Sequence, residues 1–118
     1  MNDKIGSEII ENFNEFISSA EEDIKNKRFN PAVSSYFKAI AILCDLNVYD
    51  KVGLLPKNHS ERFLYLKMHF KEVYDIVDPL FKDYTDSYNK RISKDKALEM
   101  KENVEKIKRF FEIKEKHK

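Results

Sequence analysis

Apolar residues recur along this chain at helical rather than strand spacing. From about residue 7 to 28, Ile9, Phe13, Phe16, Ile17, Ala20 and Ile24 fall on one side at ~100° per residue, with Asn14, Glu15, Ser18, Glu22 and Lys25 facing away. This predicts a first surface helix with one buried stripe. A second helix is expected over 31–47, with Asn30 as N-cap and Pro31 at the first helical position, where a missing N–H costs nothing. From Tyr36 to Leu46 it is apolar nearly all round, Lys38 and Asp45 being the only charges. Such a segment must be covered on several sides, which makes it the centre of a bundle or a dimer seam.

The stretch 47–57 reads as the longest connector, broken by Gly53 and Pro56 and apolar enough (Val48, Tyr49, Val52, Leu54, Leu55) to be expected to pack onto the domain. A third helix is predicted over 59–77. Asn58 and Glu61 approximate a capping box, and Phe63, Leu66, Phe70, Val73 and Val77 supply the core stripe. Asp78-Pro79 repeats the cap-then-proline signal and predicts a short fourth helix, 79–90, with a thin apolar side of Leu80, Phe81, Tyr84 and Tyr88. Ser93 caps a fifth helix, 93–115, striped by Ala97, Met100, Val104, Ile107 and Phe111. Phe110 and Ile113 extend its apolar side, so that either the tail folds back or the extra face meets another subunit. No stretch alternates with period two for long enough to be a strand. The expectation is one domain over 1–118, all-α, an up-and-down bundle of four to five helices.

Composition sharpens this picture. Two glycines and three prolines in 118 residues are few for a sheet protein, and 42% hydrophobic residues are too many for a disordered chain. The single cysteine, Cys44, lies in the apolar run 39–44; it excludes a disulfide framework and reads as a small buried hydrophobe. Apolar runs are short and the N-terminus is polar, so the chain is expected to be cytoplasmic and without a membrane span. Net charge is +1 but uneven: residues 90–118 hold 11 Lys/Arg against 6 Asp/Glu, whereas the remainder is acidic. That polarity reads first as a solvated Lys/Glu-rich helix and second as a surface for an anionic partner or a second copy.

Three segments in order resemble the HEPN (higher eukaryotes and prokaryotes nucleotide-binding) family of small helical proteins. They are Asn30-Pro31-Ala32-Val33-Ser34-Ser35-Tyr36-Phe37-Lys38-Ala39-Ile40, then Pro56-Lys57-Asn58-His59-Ser60, then Leu80-Phe81-Lys82-Asp83-Tyr84-Thr85-Asp86-Ser87-Tyr88 followed by Ser93-Lys94-Asp95-Lys96-Ala97. The resemblance implies a helical bundle, usually a homodimer. In many members it is a metal-independent RNase toxin controlled by a nucleotidyltransferase-like partner; in others, a binding module without catalysis. Active members pair an arginine, which stabilises charge developing on phosphate, with a histidine four to six residues later that moves the proton of the attacking hydroxyl. Here the arginine place holds Lys82 or Asp83 and the histidine place Ser87 or Tyr88. Lysine still meets a phosphate as a point charge, but tyrosine, with a pKa around 10, is a poor general base.

The expectation is therefore a HEPN-like binding or regulatory module, non-catalytic, in a toxin–antitoxin-type pair. The alternatives are a metal-independent endoribonuclease and a nucleotide- or RNA-binding protein without turnover. Lys82, Tyr84, Tyr88 and Arg91, interleaving cations with aromatics, are the candidate ligand-binding residues, and Lys82, Tyr88 and Arg91 the catalytic candidates. Tyr84 and Tyr88, at i and i+4, read equally as core residues with wet hydroxyls. Arg62 and His69 match the arginine–histidine spacing literally, two turns apart on nearly one helix face, and are weaker candidates; chance pairing on a solvated face is the plainer reading. His59 reads as a junction residue, or as an anion contact beside the free amides of a helix start. His117 lies in the tail. No metal or cofactor is expected, since scattered histidines with no cysteine partner do not make a metal site.

Overall fold

The computed structural model describes residues 3–116, with side chains from 4 to 112. Its five helices are α1 (Asp3–Lys25), α2 (Phe29–Val52), α3 (His59–His69), α4 (Lys71–Asp86) and α5 (Lys94–Lys116), and the described residues contain no strand. The all-α bundle read from the pattern is what the chain forms. His117 and the side chain of Ile113 lie outside the described residues.

α2 is the axis of the structure and touches each of the other four helices. Ala32, Val33, Tyr36, Phe37, Ala39, Ile40, Ala41, Cys44 and Val48 are all buried along it, so burial runs around the helix, as its unbroken apolar stretch demands. Cys44 is fully buried, and that burial pushes its thiol pKa up, which keeps it protonated and inert. α1 lies along α2, joined by a tight corner in which Lys27 takes a left-handed conformation (φ 61°). The Arg28 N–H donates to the Asp23 carbonyl and the Lys27 N–H to the Ile24 carbonyl, a Schellman closure with lysine where glycine is usual.

Asn30 is not the N-cap of α2. The helix already begins at Phe29, leaving Pro31 within the first turn, where an amide has no helical partner anyway. The Asn30 carboxamide is used across the fold instead: Nδ2 donates to the carbonyls of Ser87 (2.8 Å) and Lys90, and Oδ1 accepts from the Ile92 N–H (3.0 Å). One side chain thereby ties the α4–α5 connector to the start of α2. At its other end α2 continues beyond residue 47, because Val48 still faces the core and nothing breaks the helix before Gly53, whose left-handed φ of 78° favours glycine. The connector is thus shorter than expected. Its leucines do not pack down as predicted either: Leu54 is 59% and Leu55 41% exposed.

The largest departure lies between α3 and α4. The predicted helix over 59–77 breaks at Phe70 (φ −140°, ψ 61°), and α4 runs straight through Pro79, the residue expected to start a new helix. Phe70 leaves helical geometry to bury its ring edge-on against Phe111 of α5, with centroids 5.3 Å apart. Its own backbone serves both helices, the N–H donating to Leu66 and the carbonyl accepting from Tyr74, so the break leaves neither group unpaired. Within α4, Val73, Val77, Leu80 and Tyr84 make one continuous buried stripe spanning Pro79. A proline inside a helix costs ~3 kcal/mol, of the order that burying one or two such side chains returns.

α5 follows the expected pattern. Ser93 Oγ accepts from the Lys96 N–H (3.2 Å), and Ala97, Met100, Val104, Ile107 and Phe111 are buried. Asn58 likewise caps α3 by accepting from the Glu61 N–H (2.9 Å), while the Glu61 carboxylate returns to the Lys57 N–H, one residue earlier than a strict capping box.

Candidate functional site

The first turns of α3 press against the middle of α2, and there the structure gathers charge and aromatic surface. Arg62 Nε and Nη2 donate to the two oxygens of Asp45 at 2.7 and 2.8 Å, a planar two-bond pair across helices. Its third donor, Nη1, reaches Nδ1 of His59 one turn back, at 2.8 Å. The pair is largely withdrawn from water, with side-chain exposures of 12% for Arg62 and 18% for Asp45. His59 packs among Phe81 (4.8 Å between centroids), Tyr84 (6.0 Å), Phe37 (6.2 Å) and Phe63 (6.4 Å).

These residues edge a cleft of about 270 Å³. Phe37, Ala41 and Ile42 of α2 line it together with Phe16 of α1, Tyr84 of α4, His59, Arg62 and Lys38. The Lys38 ammonium lies 5.8 Å over the Phe16 ring and makes no ion pair among the described residues. A smaller cleft of about 170 Å³, lined by Ile9, Asn12, Ile42, Asp45, Leu55 and Pro56, adjoins it at Ile42. Lys38 and Asp45 are the two charges singled out in the apolar run of α2. Seven positions apart, they are two turns along one face, Lys38 lining the larger cleft and Asp45 the smaller.

Electrostatics fix the protonation states. Burial works against the Arg62 charge, but the hydrogen bonds and charge of Asp45 outweigh it and the pKa is raised, so the guanidinium stays charged. Burial and the adjacent Arg62 lower the His59 pKa, against a smaller opposing pull from Asp45. His59 is therefore neutral near neutral pH. A guanidinium can only donate, so Nδ1 is the accepting nitrogen and the ring proton sits on Nε2. Tyr84 is raised to about 12, by burial first and then by its hydroxyl–hydroxyl bond to Tyr88 (2.9 Å). It remains a phenol and is no base.

The residues singled out by position in the chain do not all converge. Tyr84 and His59 reach the cleft. Lys82 projects from α4 into solvent with its ammonium on Asp86 (2.9 Å), which also holds Lys90 (3.5 Å). The Asp86 hydrogen bond and charge raise the Lys82 pKa, and the same hydrogen bond lowers that of Asp86. Tyr88, 70% exposed, and Arg91 lie in the turn after α4 that Asn30 holds in place. His69 is the last residue of α3, ~10 Å along the helix from Arg62. The arginine–histidine unit formed in space is Arg62 with His59, not Arg62 with His69.

The pairing of Asp45 with Arg62 was not legible in the sequence, because nothing local says that residues seventeen apart face each other. The available signal was a lone carboxylate in an otherwise apolar segment, since a buried charge requires a partner. No group of three or more His, Cys, Asp or Glu residues able to hold a metal ion gathers among the described residues, and none of their helices is long and apolar enough to cross a membrane. No protein-family model, curated protein or solved structure matches the chain.

Proposed function

We propose that this protein is a HEPN-like binding or regulatory module that holds an anionic ligand, of the nucleotide or RNA type, without turning it over. In this reading it works as a homodimer beside a nucleotidyltransferase-like partner. The observation that carries the reading is the Asp45–Arg62–His59 chain at the edge of an aromatic cleft. Metal-independent RNA cleavage asks for a free cation on the phosphate and a free imidazole nitrogen as base. Here the guanidinium is neutralised by Asp45, and the only basic nitrogen of His59 is occupied by Arg62. Lys38 and the Nε2–H of His59, at a cleft whose wall includes the half-buried ring of Phe16, are suited to recognition rather than proton transfer. Exposed Leu64 and Met68, one turn apart on α3, and Leu54 in the connector before it supply apolar surface of the kind a protein partner covers.

The test is incubation of purified protein with total RNA in the absence of added metal. RNA is expected to stay intact while binding is retained and falls steeply with salt. Cleavage abolished by Arg62→Ala or Lys82→Ala would overturn the reading in favour of the endoribonuclease. Light scattering is expected to give twice the chain mass; a monomer at high concentration would sink the dimer.

A further inference from the structure

His59 occupies an unusual position for a residue that can gain a proton near physiological pH. It is the first residue of α3, so the free amides of a helix start lie beside it and disfavour positive charge. Its Nδ1 is filled by a donor that never deprotonates. The groups facing it are identified on every helix packed there. α2 presents Asp45, the Phe37 ring and, at the cleft, Lys38; α3 presents Arg62; α4 presents the Tyr84 phenol and the Phe81 ring; α1 presents only the apolar Phe16 at the cleft. Asp45 is the single carboxylate among them, and both its oxygens are already engaged by Arg62. An imidazolium at this place would set donor against donor at 2.8 Å.

We propose that His59 is an acid-opened latch on the cleft: neutral, it holds the Arg62 guanidinium in place against Asp45, and protonation of Nδ1 breaks that contact and sends the ring toward solvent. The proton comes from water, and no covalent bond other than N–H is made. Opening removes one wall of the aromatic cluster, frees Arg62 Nη1 and adds a positive charge to a rim that already carries Lys38. The opened cleft therefore takes anions better than the closed one. This last consequence rests on the binding reading above, whereas the latch itself does not.

The experiment follows the full-length protein by NMR from about pH 7.5 to about pH 5, bracketing the ordinary histidine range. The His59 Cε1–H and Arg62 Nε–H resonances are expected to move together with one midpoint. In His59→Gln, whose amide oxygen can still accept from Arg62, the Arg62 resonance is expected to hold still. An Arg62 resonance that stays fixed while His59 titrates, or that moves equally in His59→Gln, overturns the latch. Inorganic sulfate, whose charge is constant over this range, serves as the anion probe, and its affinity is expected to rise about fivefold on acidification in the wild type and not in His59→Gln. Coupled resonances without any sulfate binding would uphold the latch and sink the binding reading instead.

Discussion

Arg62–Asp45 and Lys82–Asp86 are ion pairs of almost the same length, 2.7 and 2.9 Å, and both lie where the sequence directs attention. They differ in what surrounds them. Arg62 and Asp45 join two helices and are largely shielded from water; Lys82 and Asp86 are neighbours on one helix, and the lysine is 72% exposed. In a shielded site neither partner can be removed without stranding the other, whereas water replaces a lost partner at the surface. Bond length alone therefore says little about which pair organises the molecule. The inter-helix pair fixes His59 and seals one edge of the cleft, and its arginine adds to the burial that keeps His59 neutral, while the surface pair leaves Lys82 free to be exchanged.

The sharpest way to break this contrast is Arg62→Ala, which strands Asp45 and is expected to cost about 3 kcal/mol, read by urea denaturation. The double replacement Arg62→Met with Asp45→Leu should recover most of that loss. A double variant as unstable as the single one would mean that the charge pair itself, not the stranded partner, carries the stability. Next is Asn30→Ala, which removes three cross-fold hydrogen bonds at once. Its expected cost is about 2 kcal/mol, with hydrogen exchange rising in residues 87–92 ahead of the rest.

A smaller effect comes from His59. Because its pKa is lowered in the fold, the unfolded chain takes up the proton first as pH falls. Its stabilisation is thus complete above the ordinary histidine value and is lost as pH drops from there toward the lowered one. Denaturant midpoints measured across that interval should slope in the wild type and flatten in His59→Gln. Smallest of all, Lys82→Ala should leave the melting temperature unchanged at moderate salt. A clear drop would place Lys82 in a structural role its exposure does not suggest.

Several features were legible from the chain because they are decided locally. The buried sides of α2 and α5, the inert Cys44, and the caps at Ser93 and Asn58 all depend on residues within a turn or two of one another. The α3–α4 region misled for the opposite reason. Proline is the strongest local stop signal, yet Pro79 lies inside α4 because the stripe from Val73 to Tyr84 is worth more buried than the proline costs, while Phe70, with no breaking propensity, interrupts the helix to meet Phe111. Asn30 shows the same pattern: a residue type that caps helices was recruited to a connector some sixty positions away.

What the sequence by itself determined is the helical class of the fold and the identity of the central helix. An apolar segment without a polar face has no stable place except inside. What only the tertiary structure decided is which charges meet. Asp45 finds Arg62, seventeen positions away on another helix, because a charge shielded from water must be matched by whatever partner the packing brings within reach, and packing is a property of the whole fold rather than of any stretch of it.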